Sequence, residues 1–265
     1  MQEIGWTEKV AKEWSQYKPP SRPSASEVEI FESHIRELPE SGHILLLGST
    51  PEIRDLAVKY ELKITIVDWS EEIFKALKLL TENKDYNEGF SKQDWREMEF
   101  SEKFDMIIGD CAITVVPYQD VEKVLNNIQR ALKEDGIVVQ RIWVRHENKK
   151  YSLEDVVKIF KERPENLHWY TSMLFPVLLH YYDAERESLS GEELHQKMQK
   201  DYEDGKVPKE LLDLFSLVKN HKTPNNVLLK ENLESLLEKY FEITNIEYGN
   251  DDFKENSSIY TMKKK

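Results

Sequence analysis

His43-Ile-Leu-Leu-Leu47 is an apolar run of strand length, Gly48-Ser-Thr-Pro51 breaks it, and Lys63-Ile-Thr-Ile-Val67 is a second such run that ends in Asp68. Between the two runs Ile53, Leu56, Ala57 and Tyr60 recur at i, i+3, i+4 and i+7, one face of a helix. Strand, turn, helix and strand make a βαβ unit. An acid closing the second strand, about 20 residues past a glycine turn, stands where such units hold a ribose diol. Two ribose hydroxyls donating to one carboxylate explain why an acid suits that position.

The turn narrows the ligand. A pyrophosphate needs several backbone N–H groups closing on it from G-x-G-x-x-G, and here Gly48 stands alone. Pro51 offers no N–H at the helix start. Pro at the first helical position after Ser49 or Thr50 as N-cap is an ordinary helix beginning. The turn therefore allows one close backbone approach and lacks a phosphate cradle. S-adenosylmethionine, with a ribose and an adenine but no phosphate, fits it; a βαβ unit without a ligand is the bland alternative.

Composition sets the class. The 265 residues carry 37 basic and 50 acidic side chains, a formal net charge of -13. They suffice for one large domain or a domain with a sizeable insertion. The charge disfavours nucleic acid and anionic membrane as partners, since phosphate surfaces need basic ones. Lys149-Lys150 and Lys263-Lys264-Lys265 are too short to reverse that. Cys111 is the only cysteine, so an intrachain disulfide is impossible and a thiolate zinc site is not expected. His34, His146, His168, His180, His195 and His221 follow no metal-ligand spacing, and no metal is expected. The start, Met1 to Trp6, has no basic and apolar signal pattern, and no apolar run nears the roughly 20 residues of a membrane span. A cytoplasmic protein is expected.

Along the chain, Trp6, Val10, Trp14 and Tyr17 sit at helical spacing before Pro19-Pro20-Ser-Arg22-Pro23 stops the helix. Ser26 to Leu38 reads as a second helix. Past Asp68, Ser70 caps a helix with Ile73, Leu77 and Leu80 inward. Tyr86 to Gln93 is a weak third strand, Phe104 to Ile108 a fourth, Val121 to Leu132 a helix, and Ile137 to Val144 a fifth strand after a turn at Lys133 to Gly136. This alternation predicts a parallel, doubly wound α/β sheet, with no clear helix between strands three and four. From Ser152 to about 222 it gives way to a helical insertion. Leu229 to Tyr240 returns to the pattern, and Phe241 to Tyr248 and Ser258 to Met262 read as two strands joined by a hairpin-like turn at Gly249 to Asp252.

The order of parts resembles the class I S-adenosylmethionine-dependent methyltransferases. Leu45-Leu-Leu-Gly48 stands at that family's glycine motif without its later glycines, and Ile66-Val-Asp68 at its ribose-binding acid. Gln93-Asp94-Trp95 matches the acid that meets the adenine amino group, with an aromatic beside it. Phe104 to Asp110 matches the fourth strand and its loop, and Leu132-Lys-Glu-Asp-Gly136 the turn before strand five, lacking the proline and first glycine. The resemblance implies a seven-stranded, mostly parallel sheet whose last strand is antiparallel. The division expected is an N-terminal helical flap over 1–40, a core over 41–150 and 223–265, and an insertion over 151–222 that caps the core together with the flap.

The resemblance also implies S-adenosylmethionine as cofactor and methyl transfer to a small-molecule acceptor. Cofactor contacts are expected from Gly48, Ser49, Thr50, Asp68, Trp69, Asp94, Trp95, Asp110, Cys111, Tyr17 and Arg22. Methyl transfer is an in-line displacement with a neutral leaving thioether, so positioning and exclusion of water matter most. Asp110, after the fourth strand, is the catalytic candidate: it can meet the methionine amino group, orient the acceptor or act as base, and its plain alternative is a loop carboxylate. Cys111 has no base or cation nearby in sequence and reads as packing. Arg141 reads as an ordinary salt bridge. No N-P-P-Y or D-P-P-Y follows the fourth strand, which argues against amino-methylation of DNA. A binding or regulatory protein without catalysis and, less favoured, a nicotinamide-dependent oxidoreductase are the competing readings, and the apolar surplus of Trp169 to Tyr182 serves either a cap or an oligomer interface.

Overall fold

The computed structural model describes residues 14, 17–163, 168–251 and 253–265. Its core runs α1 (Ala25–Arg36), β1 (His43–Leu47), α2 (Pro51–Lys59), β2 (Lys63–Asp68), α3 (Glu71–Lys78), β3 (Gly89–Lys92), β4 (Phe104–Asp110), α4 (Val121–Ala131) and β5 (Leu132–Arg145). The insertion follows as α5 (Leu153–Glu162), α6 (Trp169–Tyr181), β6 (Leu189–Ser190), α7 (Gly191–Glu203), α8 (Lys209–Leu214) and β7 (Pro224–Asn225). The chain returns through β8 (Leu228–Leu229), α9 (Lys230–Leu237), β9 (Phe241–Tyr248) and β10 (Ser257–Lys264).

Seven strands lie in the order β3-β2-β1-β4-β5-β10-β9, and β8 pairs with the end of β5. β1 to β5 are mutually parallel. β10 is antiparallel to both β5 and β9 and sits between them, inside the sheet, as the sequence predicts. The reason is the short connection after β9, which permits an antiparallel pair and cannot span a parallel crossover. It is longer than the expected turn, running from Gly249 to a 3-10 turn at Lys254–Asn256.

The apolar strands are covered on both faces, as a parallel sheet requires. Phe31 and Ile35 of α1 and Ile53 and Ala57 of α2 pack on Ile44, Leu46, Ile66 and Ile108. Val124 and Ile128 of α4 and Leu233 and Leu237 of α9 pack on Leu45, Val67 and Ile107. A third cluster joins α6, α7 and α8 to Trp143 of β5, Ile73 and Leu77 of α3, and Trp14 and Tyr17 from the N-terminal segment. The expected helix from Trp6 to Tyr17 and the side chain of Trp169 otherwise lie outside the described residues.

Two expectations shift in detail. β3 is only four residues long, and between it and β4, where the sequence shows no clear helix, the chain makes a 3-10 turn at Trp95–Glu97. β5 begins at Leu132, not Ile137: its register with β4 passes from Phe104↔Leu132 to Met106↔Ile137, so the predicted turn is a bulge within the strand. Gly136 belongs there because a Cβ would lie 2.7 Å from the Leu132 side chain.

Candidate functional site

The carboxyl ends of β1, β2 and β4 meet at one edge of the sheet, where open α/β sheets form their ligand crevice. Gly48 follows β1 with φ +90, a conformation glycine adopts without strain. Its N–H donates to the Val67 carbonyl at 3.0 Å. The Trp95 indole N–H donates to the same carbonyl at 2.9 Å, and a Cβ on Gly48 would lie 3.7 Å from the indole ring. The glycine turn and the aromatic after β3 are therefore neighbours.

Asp68 ends β2 next to this turn and is buried. Ser49 Oγ donates to its Oδ2 at 3.3 Å and the Ser70 N–H to its Oδ1 at 3.0 Å. These bonds pull its pKa down, but burial outweighs them and pushes the carboxyl up to about 6. A carboxylate so desolvated gains from any further donor.

Asp110 ends β4 against Arg141 of β5, its register partner. Arg141 Nε donates to Asp110 Oδ1 at 2.5 Å, and Thr50 Oγ1 donates to Oδ2 at 3.3 Å. Thr50 is the N-cap of α2 by position but makes no capping bond, because its hydroxyl turns to Asp110. Arg141 Nη1 reaches Glu27 Oε2 of α1 at 3.2 Å and Ser257 Oγ of β10 at 3.2 Å. Burial pushes the Asp110 carboxyl up against the pull of Arg141. Cys111 follows with φ 54, in the left-handed region, and burial holds its thiol well above the ordinary range. It is not a thiolate, in line with the packing reading.

The other expected residues scatter around this edge. Asp94 pairs with Arg96 at 2.5 Å, and Arg96 also reaches Asp120 at 3.1 Å, so the acid after β3 is already engaged. Trp69 is 42% exposed. Tyr17 is buried in the insertion cluster. Arg22 pairs with Glu52 in the first turn of α2, its Nε donating to Oε1 at 2.7 Å, and stacks over Trp14 at 5.2 Å.

Sequence reasoning missed Glu27, Glu52 and Ser257. Glu27 carried a readable signal, a capping box with Ser24, but one that points to helix geometry and not to Arg141. Glu52 reads as a first-turn acid, and nothing local marks Ser257.

Together Asp68, Asp110, Glu27 and Glu52 outnumber the cations Arg22 and Arg141 at this edge. Glu52 Oε2 is buried without a partner among the described residues. Such a site suits a ligand with positive charge and hydroxyl donors, which S-adenosylmethionine has, and repels an anion. Among the described residues no group of histidine, cysteine or acidic side chains could hold a metal ion, and no helix is long and apolar enough to cross a membrane.

A methyltransferase domain family matches residues 49–238. No curated protein matches the chain. Among solved structures, a Pyrococcus horikoshii OT3 protein, PH0226, superposes with a TM-score of 0.59 at 17% identity over 98% of this chain and 100% of its own. A Rhodobacter sphaeroides protein described as a Zn-dependent alcohol dehydrogenase gives 0.63 at 14% identity over 99% and 100%. The Burkholderia thailandensis 1,6-didemethyltoxoflavin-N1-methyltransferase, bound to 1,6-didemethyltoxoflavin and S-adenosylhomocysteine, gives 0.52 at 10% identity over 89% and 76%. Identities this low speak for a shared fold and not for a shared reaction. With the family match over most of its length and strands in the order β3-β2-β1-β4-β5-β10-β9, the chain belongs to the class I S-adenosylmethionine-dependent methyltransferases, with S-adenosylmethionine as cofactor.

Proposed function

We propose that the protein catalyses methyl transfer from S-adenosylmethionine to a small-molecule acceptor enclosed between the sheet edge and a cap made of residues 151–222 with Trp14 and Tyr17 ahead of α1, which itself covers the sheet. When bound, the cofactor supplies an electrophilic methyl group on a sulfonium whose departure as a neutral thioether needs no acid. Asp68 accepts the ribose hydroxyls. Gly48, Ser49 and Thr50 let the backbone of the turn come close. Asp94 and Trp95 flank the adenine, and Asp94 turns from Arg96 toward the base or shares its oxygens with it. Asp110, fixed by Arg141 and Thr50, meets the cationic end of the cofactor beside the acceptor. The acidic surface, net charge -13, favours a small molecule over nucleic acid.

The observation that carries this reading is Asp68: a buried carboxylate, pushed up to about 6 by desolvation, at the last residue of β2 and beside a glycine turn. A hydrogen bond to a charged acceptor contributes about 1.5–3 kcal/mol. Replacing Asp68 with Ala should weaken S-adenosylhomocysteine binding by roughly 2–4 kcal/mol in calorimetry. Unchanged affinity in a folded variant would remove the ribose role. Methyl transfer itself is tested by mass spectrometry over an acceptor panel; cofactor binding without any product would mark a binding protein.

A further inference from the structure

Among the described residues, three N–H groups on β5 are buried without a partner: Nη2 of Arg141, Nε1 of Trp143 and Nε of Arg145. Alternation along a strand places residues 141, 143 and 145 on one face. That face begins at Asp110, the register partner of Arg141, and runs under the insertion. Buried N–H groups are normally bonded to protein or ordered water, so three in a row on one face call for a common explanation.

Both arginines are otherwise engaged. Arg141 bonds Asp110, Glu27 and Ser257. Arg145 bonds Glu187 at 2.7 Å and lies over the Tyr182 ring at 5.7 Å. Both guanidinium groups are thus already matched or exceeded by carboxylates. The row offers donors without surplus positive charge, and a carboxylate or phosphate placed on it would meet Asp110 and Glu27. The surroundings are aromatic: Trp143 meets Phe175 of α6 edge-on at 5.4 Å, and Phe175 meets Phe253 at 5.8 Å.

We propose that the methyl acceptor is an uncharged, planar aromatic molecule bearing carbonyl or ether oxygens, docked along β5 with those oxygens accepting from Arg141, Trp143 and Arg145. The proposal rests on the reading that the neighbouring edge binds S-adenosylmethionine. Donors in a row suit lone pairs in a row, and flat aromatic walls suit a flat ring.

The test uses the full chain saturated with S-adenosylhomocysteine and two probes of similar size: coumarin, uncharged with a carbonyl and a ring oxygen, and naphthalene-2-carboxylate. Coumarin should bind, and naphthalene-2-carboxylate should bind at least about tenfold more weakly because of the nearby acids. Trp143→Phe keeps a ring and deletes the N–H, and should weaken coumarin about fivefold, the usual worth of one hydrogen bond. Arg145→Met, at the other end of the row, should do the same if Trp143→Phe folds poorly. The proposal is overturned if coumarin fails to bind, if the carboxylate binds as tightly, or if coumarin keeps its affinity in the folded variants. Failure of S-adenosylhomocysteine to bind at the outset would instead strike the cofactor-site reading, and this proposal with it.

Discussion

Arg141 Nε lies 2.5 Å from Asp110 Oδ1, and neither side chain is more than 5% exposed. The pair is a consequence of register: parallel strands β4 and β5 align Asp110 with Arg141, so both side chains leave the same face of the sheet. Glu27 reaches the same guanidinium from α1, which ties the first described helix to the centre of the sheet.

Removing one member of a buried ion pair strands the other. Arg141→Leu leaves Asp110 and Glu27 facing each other without a cation and should cost about 3–5 kcal/mol in urea denaturation. Asp110→Asn should cost far less, since its amide oxygen still accepts from Arg141 and Glu27 still balances the charge. If Asp110 holds the cofactor's cationic end, that variant should bind S-adenosylmethionine more weakly; if it orients or deprotonates the acceptor, turnover should fall while affinity stays. Wild-type values for both would return Asp110 to a structural role.

If Asp68 holds the ribose, cofactor binding depends on pH. In the free protein its carboxyl titrates at about 6 because of burial. Ribose hydroxyls donating to the charged form would lower that pKa in the complex. Binding therefore needs a proton released as pH falls below 6, and affinity for S-adenosylhomocysteine should drop by up to about tenfold per unit there while staying level above 7. Calorimetry from pH 7.5 to 5 reads this directly, and the Asp68→Asn variant should lack the slope.

The same burial works against the free fold. Asp68 is raised from an ordinary 3.8 to about 6, so stability present below 3.8 is lost as pH rises through 6. The difference of roughly two units corresponds to about 3 kcal/mol at neutral pH, before relaxation. Asp68→Asn carries no charge and can still accept from Ser70. It should make the ligand-free protein more stable at pH 7.5 by about 1–3 kcal/mol, with the gain roughly halved at pH 5. A variant less stable than wild type at both pH values would show that Asp68 is held mainly by its hydrogen bonds.

The sheet was legible because its signals are local. Runs such as Leu45 to Leu47 and Ile64 to Val67, the lone Gly48, and the short link after Tyr248 each dictate one step of the topology. Asp68 and Asp110 were legible because a strand end is a place on the sequence as well as in space. Glu27 was not, since its partner Arg141 is 114 residues away and only the packing of α1 on the sheet brings them together. Arg141 reads as any arginine until its burial is known. The bulge at Lys133 to Gly136 hid behind a turn-like sequence because bulges and turns use the same residues.

The insertion gives the last prediction. α6 is apolar around its whole circumference apart from Thr171, Ser172 and His180, more than a single buried stripe requires. Its Met173, Phe175, Val177 and Leu178 share one core with Trp143 of the sheet, Leu77 of α3, and Trp14 and Tyr17. Arg22 ties that N-terminal segment down on Glu52, one turn from Gly48. Phe175 sits in the middle, against Trp143, so Phe175→Ala should cost about 3–5 kcal/mol through cavity formation and loosen the insertion from β5. If this core caps the cofactor, S-adenosylhomocysteine should slow tryptic cleavage of residues 151–222 in the wild type by the same factor at every protein concentration, and Phe175→Ala should lose that protection. An interface between copies would behave otherwise: protection would grow with protein concentration and ignore the ligand. Protection by ligand in the wild type that survives Phe175→Ala unchanged would mean that the cap closes through other contacts than the Trp143–Phe175 pair.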